Sequence, residues 1–545
     1  MRFFNKILGA YNASAQKERR YAIRIEIADG VFLWVVSHPD VVPGTGTVLE
    51  GLAHSISSIS QRLYPMDGRA EIGSLSFSAV DVNSDLSEEW RTQLLTNDRG
   101  ILGKDVRFYL GDRRAPFSAY EVETSQVLQS CTTGRGGTEY RFRCRDVQRE
   151  ERRDAFDPFE TRLAANISDT DTTIPVIDTT LFPSLDHGTS FSDAPSTDGV
   201  IYFKIDDEII RTLEADATAT TFTNCVRGVL GTKAAAHTTD ENATTSPDKG
   251  KKVREIVYLE MPAPKLAYAA QTGVLIGQAG TMPDHWHAGM GAGSIKLTDY
   301  SGIGLDVYDP DDDTAGVSLR FVDPGKQDVK RFVETDILRP LGMFQPVLAD
   351  GQLGLRRLRR IVQGAATVAR IDDSVLLSVP QLQFAGEDIA NELEVKWNEI
   401  DGDLTRSVVI QDPTSIALWG LRKRETFEAR GLHGSRVSRD VVIDILQQFF
   451  DRRSGPPIRT SVQVHGSMAG IEIGDVVRLI TSHCRDWTGA TISLDRPFEV
   501  HGKRTDWQRN TISLDLEASS QTATPLAPLV DDEAIPDAWF TSAGT

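Results

Sequence analysis

Apolar and polar residues alternate with period two through much of the first 150 positions. Tyr21, Ile23, Ile25 and Ile27 alternate with Arg24 and Glu26, which on an extended chain puts the apolar set on one face. Asp29-Gly30 supplies the positive φ angles of a tight hairpin turn, and Val31 to Val36 returns as a second strand. Leu75, Phe77 and Ala79 alternate with serines, Val106, Phe108 and Leu110 mark another strand, and Tyr140, Phe142 and Cys144 alternate with Arg141, Arg143 and Arg145. Short strands of period two separated by turns predict a barrel or sandwich.

From about residue 165 to 250 the pattern changes. Thr, Asp and Ala dominate, with short strands around Thr173 to Ile177, Val200 to Ile205 and Thr221 to Val226, while Asp186 to Gly199 has no apolar period. This reads as a small inserted β module. Further on, Asp323-Pro324 resembles an N-cap with Pro at the first helical position. Val329, Phe332, Val333 and Ile337 then recur at helical spacing until Pro340 and Gly342. Met343 to Leu348 and Gln352 to Leu358 flank Asp350-Gly351 as a hairpin, and Leu393, Val395 and Trp397 share one side of a strand. Val442, Ile445, Leu446 and Phe449 form the stripe of a second helix, stopped by Gly455-Pro456-Pro457. Strands resume at Ser461, including Ile471 to Val476 and the alternation Ile512, Leu514, Leu516.

The predicted fold class is therefore multidomain α+β and β-rich, with two barrel-like β domains flanking an α+β middle, plus the inserted module. The expected boundaries are 1–160 for a ring-like β-barrel domain, 161–255 for the module and 256–400 for the middle. A helical connection at 401–458, a second barrel at 459–518 and an extended arm at 519–545 complete the plan. A chain of 545 residues is too long for one core.

Charge narrows the function. The formal net charge is −19, the wrong sign for a general grip on phosphate. The apolar stretch Leu266 to Pro283 is broken by Gln271, Thr272, Gly273, Gln278 and Gly280, and Met1 to Ala10 has no signal-peptide core. The expectation is assembly in a cytoplasm without stable membrane insertion. Cys131, Cys144, Cys225 and Cys484 contain no CxxC pair and read as isolated reduced thiols.

Candidate chemistry is sparse. His285-Trp286-His287 places two imidazoles on one side if extended, but a zinc site needs a third ligand. Asp309, Asp311, Asp312 and Asp313 lack the glycine and distal glutamate of a calcium loop and read as a solvated turn. Gly289, Gly291 and Gly293 before Ser294 do not have phosphate-loop spacing. Arg356, Arg357, Arg359 and Arg360 read as an exposed hairpin arm, and Asp206 with Glu208 as two carboxylates on one wet strand face rather than a hydrolase pair. No Gly-x-Ser-x-Gly turn occurs. We therefore assign no catalytic, cofactor-binding or metal residues and expect no cofactor and no enzymatic activity.

Two phrases carry a resemblance. Gly199 to Arg211, followed by Thr221-Phe222-Thr223-Asn224-Cys225-Val226-Arg227-Gly228 through His237, resembles a small β module recurrent in phage tail proteins. Asp412-Pro413-Thr414-Ser415-Ile416-Ala417-Leu418-Trp419-Gly420, then the Val437 to Phe450 helix and Gly474-Asp475-Val476-Val477, is similar to baseplate and tail-tip hub proteins. Ile56 to Arg62 before Ile72 to Phe77 resembles the ring-forming part of such hubs. The resemblance implies a homotrimer that adapts a sixfold tail tube to threefold tip components, at the tip of a virion tail. Its implied partners are a distal tail protein ring, the tape-measure protein and tail fibre or spike proteins, with DNA passing an acidic lumen unbound. Two rival readings stay open: a glycan- or receptor-binding tail module and a tail-associated cell-wall hydrolase.

Overall fold

The computed structural model describes residues 19–28, 31–48, 55–97, 101–133, 138–149, 151–180, 182, 200–213, 216–239, 251–276, 281–303, 318–358, 361, 366–400, 403–433, 436–487, 491–507 and 509–519. The Asp29-Gly30 turn, the Asp186 to Gly199 stretch, the Asp309 to Asp313 run, Arg359, Arg360 and the arm beyond Ser519 lie outside them.

The alternation in the first 150 residues builds an eight-stranded sheet. Arg19–Ala28 pairs antiparallel with both Val31–Val36 and Asp105–Asp112, and the sheet continues through Glu121–Thr133, Glu139–Arg145 and Ser76–Val80. Period two sends Ile23, Ile25, Ile27, Phe77, Phe108, Phe142 and Cys144 into one core. A second sheet near the C-terminus, with its own core of Val462, Val464, Phe498, Ile512, Leu514 and Leu516, runs Val476–Thr481, Leu494–Asp506, Thr511–Ala518, Ile458–His465.

Two strands from the first 160 residues belong to this last sheet. Ile59–Tyr64 pairs antiparallel with the far half of Leu494–Asp506, in the register Arg62 to Gly502 and Ile59 to Thr505, and Arg69–Ile72 completes its hairpin. The near half of the same long strand pairs with Val476–Thr481. A bulge between Val500 and Gly502 separates the two halves, bending the strand so that it serves two neighbours.

The inserted segment has its own core, in which Ile201, Phe203, Ile205, Ile210, Phe222 and Val253 pack together. Its hairpin joins Val200–Ile205 to Glu208–Leu213 through a turn in which Asp206 has φ +52°.

The middle packs helices against strands around Trp286, Phe332, Ile337, Trp397, Leu446 and Phe449. Asp323 does not cap the expected helix; it sits at φ +51°. Gln327–Asp328 extends first as a strand against Asp154–Ala155, so the helix begins at Val329 and the Asp328 carboxylate accepts from Arg331 N at 3.0 Å. Phe332–Leu338 is wound as a π-helix. In the segment expected to be a helical connection, Asp403–Gln411 and Arg424–Ala429 form strands on either side of Glu392–Ile400. Helices Pro413–Trp419 and Arg436–Arg453 accompany them. Asp412 caps the shorter helix by accepting from Ser415 N at 3.0 Å, and Gly420 ends it at φ +65°. Among the described residues no helix is long and apolar enough to cross a membrane.

Candidate functional site

The most distinctive construction is the junction where the 59–72 hairpin enters the last sheet. Tyr64 lies under the guanidinium groups of Arg69 and Arg62, 4.3 and 5.1 Å from its ring centre. At the hairpin turn Gly68 has φ +64°, and a Cβ there would meet Arg339 at 3.0 Å. Arg339 Nε donates to Met66 O at 2.7 Å, while its guanidinium covers Phe427 at 4.3 Å. Beneath the hairpin, Leu63 and Ala70 share a small core with Phe344 and Leu358 of the middle and Ile473 of the last unit. Gly474 has φ +78° and lies so close to Phe344 that a Cβ would come within 2.4 Å of the ring, which explains why the Gly-Asp-Val strand start needs its glycine. Trp507, just past the long strand, crosses into the first core and packs on Phe108 at 4.8 Å.

Charged groups lock the same region. The buried Arg452 donates to both oxygens of the buried Glu499, at 2.6 and 3.0 Å, and His501 Nε2 lies 2.7 Å from that carboxylate. Burial alone would raise the Glu499 carboxyl, but Arg452 and His501 outweigh it and hold it at about 2. A cleft of 750 Å³ opens between the hairpin and the last sheet, lined by Arg62, Tyr64, Arg453, Arg459 and Glu517. A second, of 920 Å³, lies between the middle and the last sheet with Lys296, Asp299, Arg357 and Met468 on its walls. Both are lined by charged and apolar side chains together, a mixed composition also found at protein contacts.

Apart from Arg356 and Arg357 at the second cleft, the candidate residues of the sequence lie elsewhere. Glu208 is not on a wet face. It is buried, paired with Arg227 at 2.6 Å, and 2.8 Å from His237 Nε2, whose Nδ1 lies 2.9 Å from Asp206. Burial works against both carboxylates, yet hydrogen bonds from Arg227, Lys251 and His237 leave them below their ordinary range. The network closes the Val200–Leu213 hairpin over the following segment, so Arg227 and His237 are the partners of the buried Glu208. Nothing in the sequence marked that pairing.

His285 and Trp286 lie in a short 3₁₀ turn, not a strand. Glu255, at the module's exit, faces His285 Nε2 at 2.9 Å and accepts from Trp286 Nε1 and Phe159 N, each at 2.8 Å. This anchors both ends of the module to the middle. His287 instead packs over Gly273, and burial pushes its imidazole below the ordinary value. Arg356 is half-buried and paired with Glu472, so that arm is not simply exposed. Cys144 and Cys225 are buried, Cys131 and Cys484 half-buried, all as free thiols. Among the described residues no three His, Cys, Asp or Glu side chains gather as a metal site.

A buried polar centre was missed entirely. Glu151 accepts from Gln271, Tyr300 accepts from Gln345, and Lys330 donates to Gln148 at 3.0 Å, with Glu334 at 3.6 Å from its ammonium group. Burial raises Glu151 to about 8 and Glu334 to about 7, against the pull of Lys330. These residues come from distant segments, so no local pattern announces them.

No family model matches the chain, and no curated protein does. Among solved structures, it is similar to a tail protein from Neisseria meningitidis MC58, at 12% identity and TM-score 0.39, covering 93% of this chain and 98% of that one. The 43 kDa tail protein of prophage MuSo2 from Shewanella oneidensis gives 7% identity, TM-score 0.39, and coverage of 92% and 98%. A Francisella PdpA–VgrG complex gives 9% identity and TM-score 0.28 over 95% of this chain and 60% of that one.

Proposed function

We propose that the chain is a structural hub at the tip of a bacteriophage tail, where three copies close a ring between a sixfold tube and threefold tip components. One observation carries this reading: a single chain holds two β units, each with its own core, joined side by side by the 59–72 hairpin and by Trp507. Three such chains present six β units around an axis, which is the arithmetic a sixfold-to-threefold adaptor needs. The sequence phrases at 199–237 and 412–420 support the same setting. A distal tail protein ring on one side, and tape-measure and fibre or spike proteins on the other, are the partners of this role. DNA would pass through the ring unbound, in keeping with a formal charge of −19 per chain.

Native mass measurement of the purified protein tests it. The expected particle is three times 60.0 kDa. A monomer at every concentration, and also within assembled tails, overturns the proposal.

A further inference from the structure

The end of the Pro413–Trp419 helix is an apolar surface with a cationic border. Residues 417–424 are exposed without a break, with Leu418 71%, Trp419 42% and Leu421 38% accessible. Single exposed apolar residues are ordinary, but three in four positions form a patch, and an exposed Trp beside arginines is the kind of anchor on which interaction centres are built. Three cations follow directly. Arg422 and Arg424 share the one carboxylate of Glu392, and Lys423 Nζ donates to the Glu387 carbonyl at 2.9 Å. Two guanidinium groups on one carboxylate, with an ammonium group bonded to a neutral carbonyl, leave these three side chains with a positive excess.

The complement lies in the chain's own sequence. Residues 520–545 contain Asp531, Asp532, Glu533 and Asp537 and no Lys or Arg, with Leu526, Leu529 and Val530 before the acids and Ile535, Trp539 and Phe540 after them. An acidic cluster between apolar groups matches an apolar patch bordered by cations. Position favours the match too. Ala518 is in register with Ile458, and Ser415 Oγ of the helix donates to Ser454 O at 2.5 Å, four residues before Ile458. The chain therefore leaves the last sheet near the base of this helix. From Ser519 to Asp531, twelve residues reach at most about 40 Å, ample for a seven-residue helix about 10 Å long.

We propose that the C-terminal segment around 526–540 docks on this surface of its own subunit, with Leu418, Trp419 and Leu421 covered by its apolar residues and Lys423 facing Asp531, Asp532 and Glu533. Such an arm shields the patch in the free subunit. This stands apart from the hub reading, since it concerns one chain.

Carbodiimide coupling of the full-length protein, which joins a carboxylate to an amine only in direct contact, provides the test. The expected product is a peptide linking Lys423 to the 531–533 acids, with its yield reduced roughly fivefold or more in Leu418→Ser/Trp419→Ser, as expected when an interface centre is lost. Coexpressing Lys423→Arg with a chain carrying Asp531→Asn, Asp532→Asn and Glu533→Gln separates the two geometries: docking within one chain gives no linked peptide. Recovery of the link in that pair, failure of Lys423 to link to 531–533 in the parent, or an unchanged yield in the serine variant each overturns the proposal. Circular dichroism of the serine variant, whose changed side chains are exposed, verifies that a lost link is not lost folding.

Discussion

Arg452→Met tests how the last β unit is fastened to the middle. The substitution keeps a long apolar stem and removes the guanidinium, leaving Glu499 in a site where Arg452 is 3% and Glu499 0% accessible. Of its charged partners, the carboxylate keeps His501, at 2.7 Å. Removing one member of a buried pair typically costs about 3–5 kcal/mol. A carboxyl held at about 2 rather than 4.5 contributes a similar amount, about 3 kcal/mol at neutral pH, His501 included. Because the folded-state value is depressed, this contribution is complete above about pH 4.5 and disappears as pH falls towards 2. Urea unfolding followed by tryptophan emission should show the variant weakened by about 3 kcal/mol or more at pH 7, with the gap to the parent narrowing at pH 3. Adding Glu499→Gln should restore much of the loss, because the orphaned charge is gone. A variant within about 1 kcal/mol of the parent at pH 7, or a gap that ignores acid, refutes the reasoning.

Glu151→Gln should leave stability unchanged near pH 4 and raise it above pH 8: burial lifts the folded-state carboxyl to about 8, so the parent loses stability as pH rises from its ordinary 4.5 through that value. Urea midpoints at the two pH values check this, and identical midpoints at high pH contradict it. Trp507→Ala removes the ring that bridges the two β units and should cost about 3–5 kcal/mol. Limited proteolysis should then cut faster near the 59–72 hairpin, and an unchanged cleavage pattern would show that the ring is not a tie between units.

Elements defined by local period were legible. The Arg436–Arg453 helix buries Val442, Leu446 and Phe449 as its stripe implied, and the Asp412, Pro413 and Gly420 signals bound their short helix. Local rules failed where a distant partner decided the outcome. Asp323 lost its cap role because Gln327–Asp328 found a strand partner at 154–155. Glu208 alternates like an outward residue, yet Arg227 and His237 arrive from the next phrase to bury it. The 59–72 hairpin has ordinary strand signals, and its true sheet lies at the other end of the chain. The Glu151 centre has no signal at all, since its residues meet only after the middle has packed.

The pairing of Arg62 with Gly502 spans 440 positions, and synthesis at about 5–20 residues per second puts roughly 20–90 s between the two strands. An early hairpin thus waits for a strand made much later. A chain cut short before that strand keeps an open edge, the kind of edge that chaperones and proteases recognise. Interleaving segments this far apart makes synthesis past Asp506 a condition of completing the last sheet, so that a chain released earlier leaves its 59–72 hairpin without the strand it was shaped to meet.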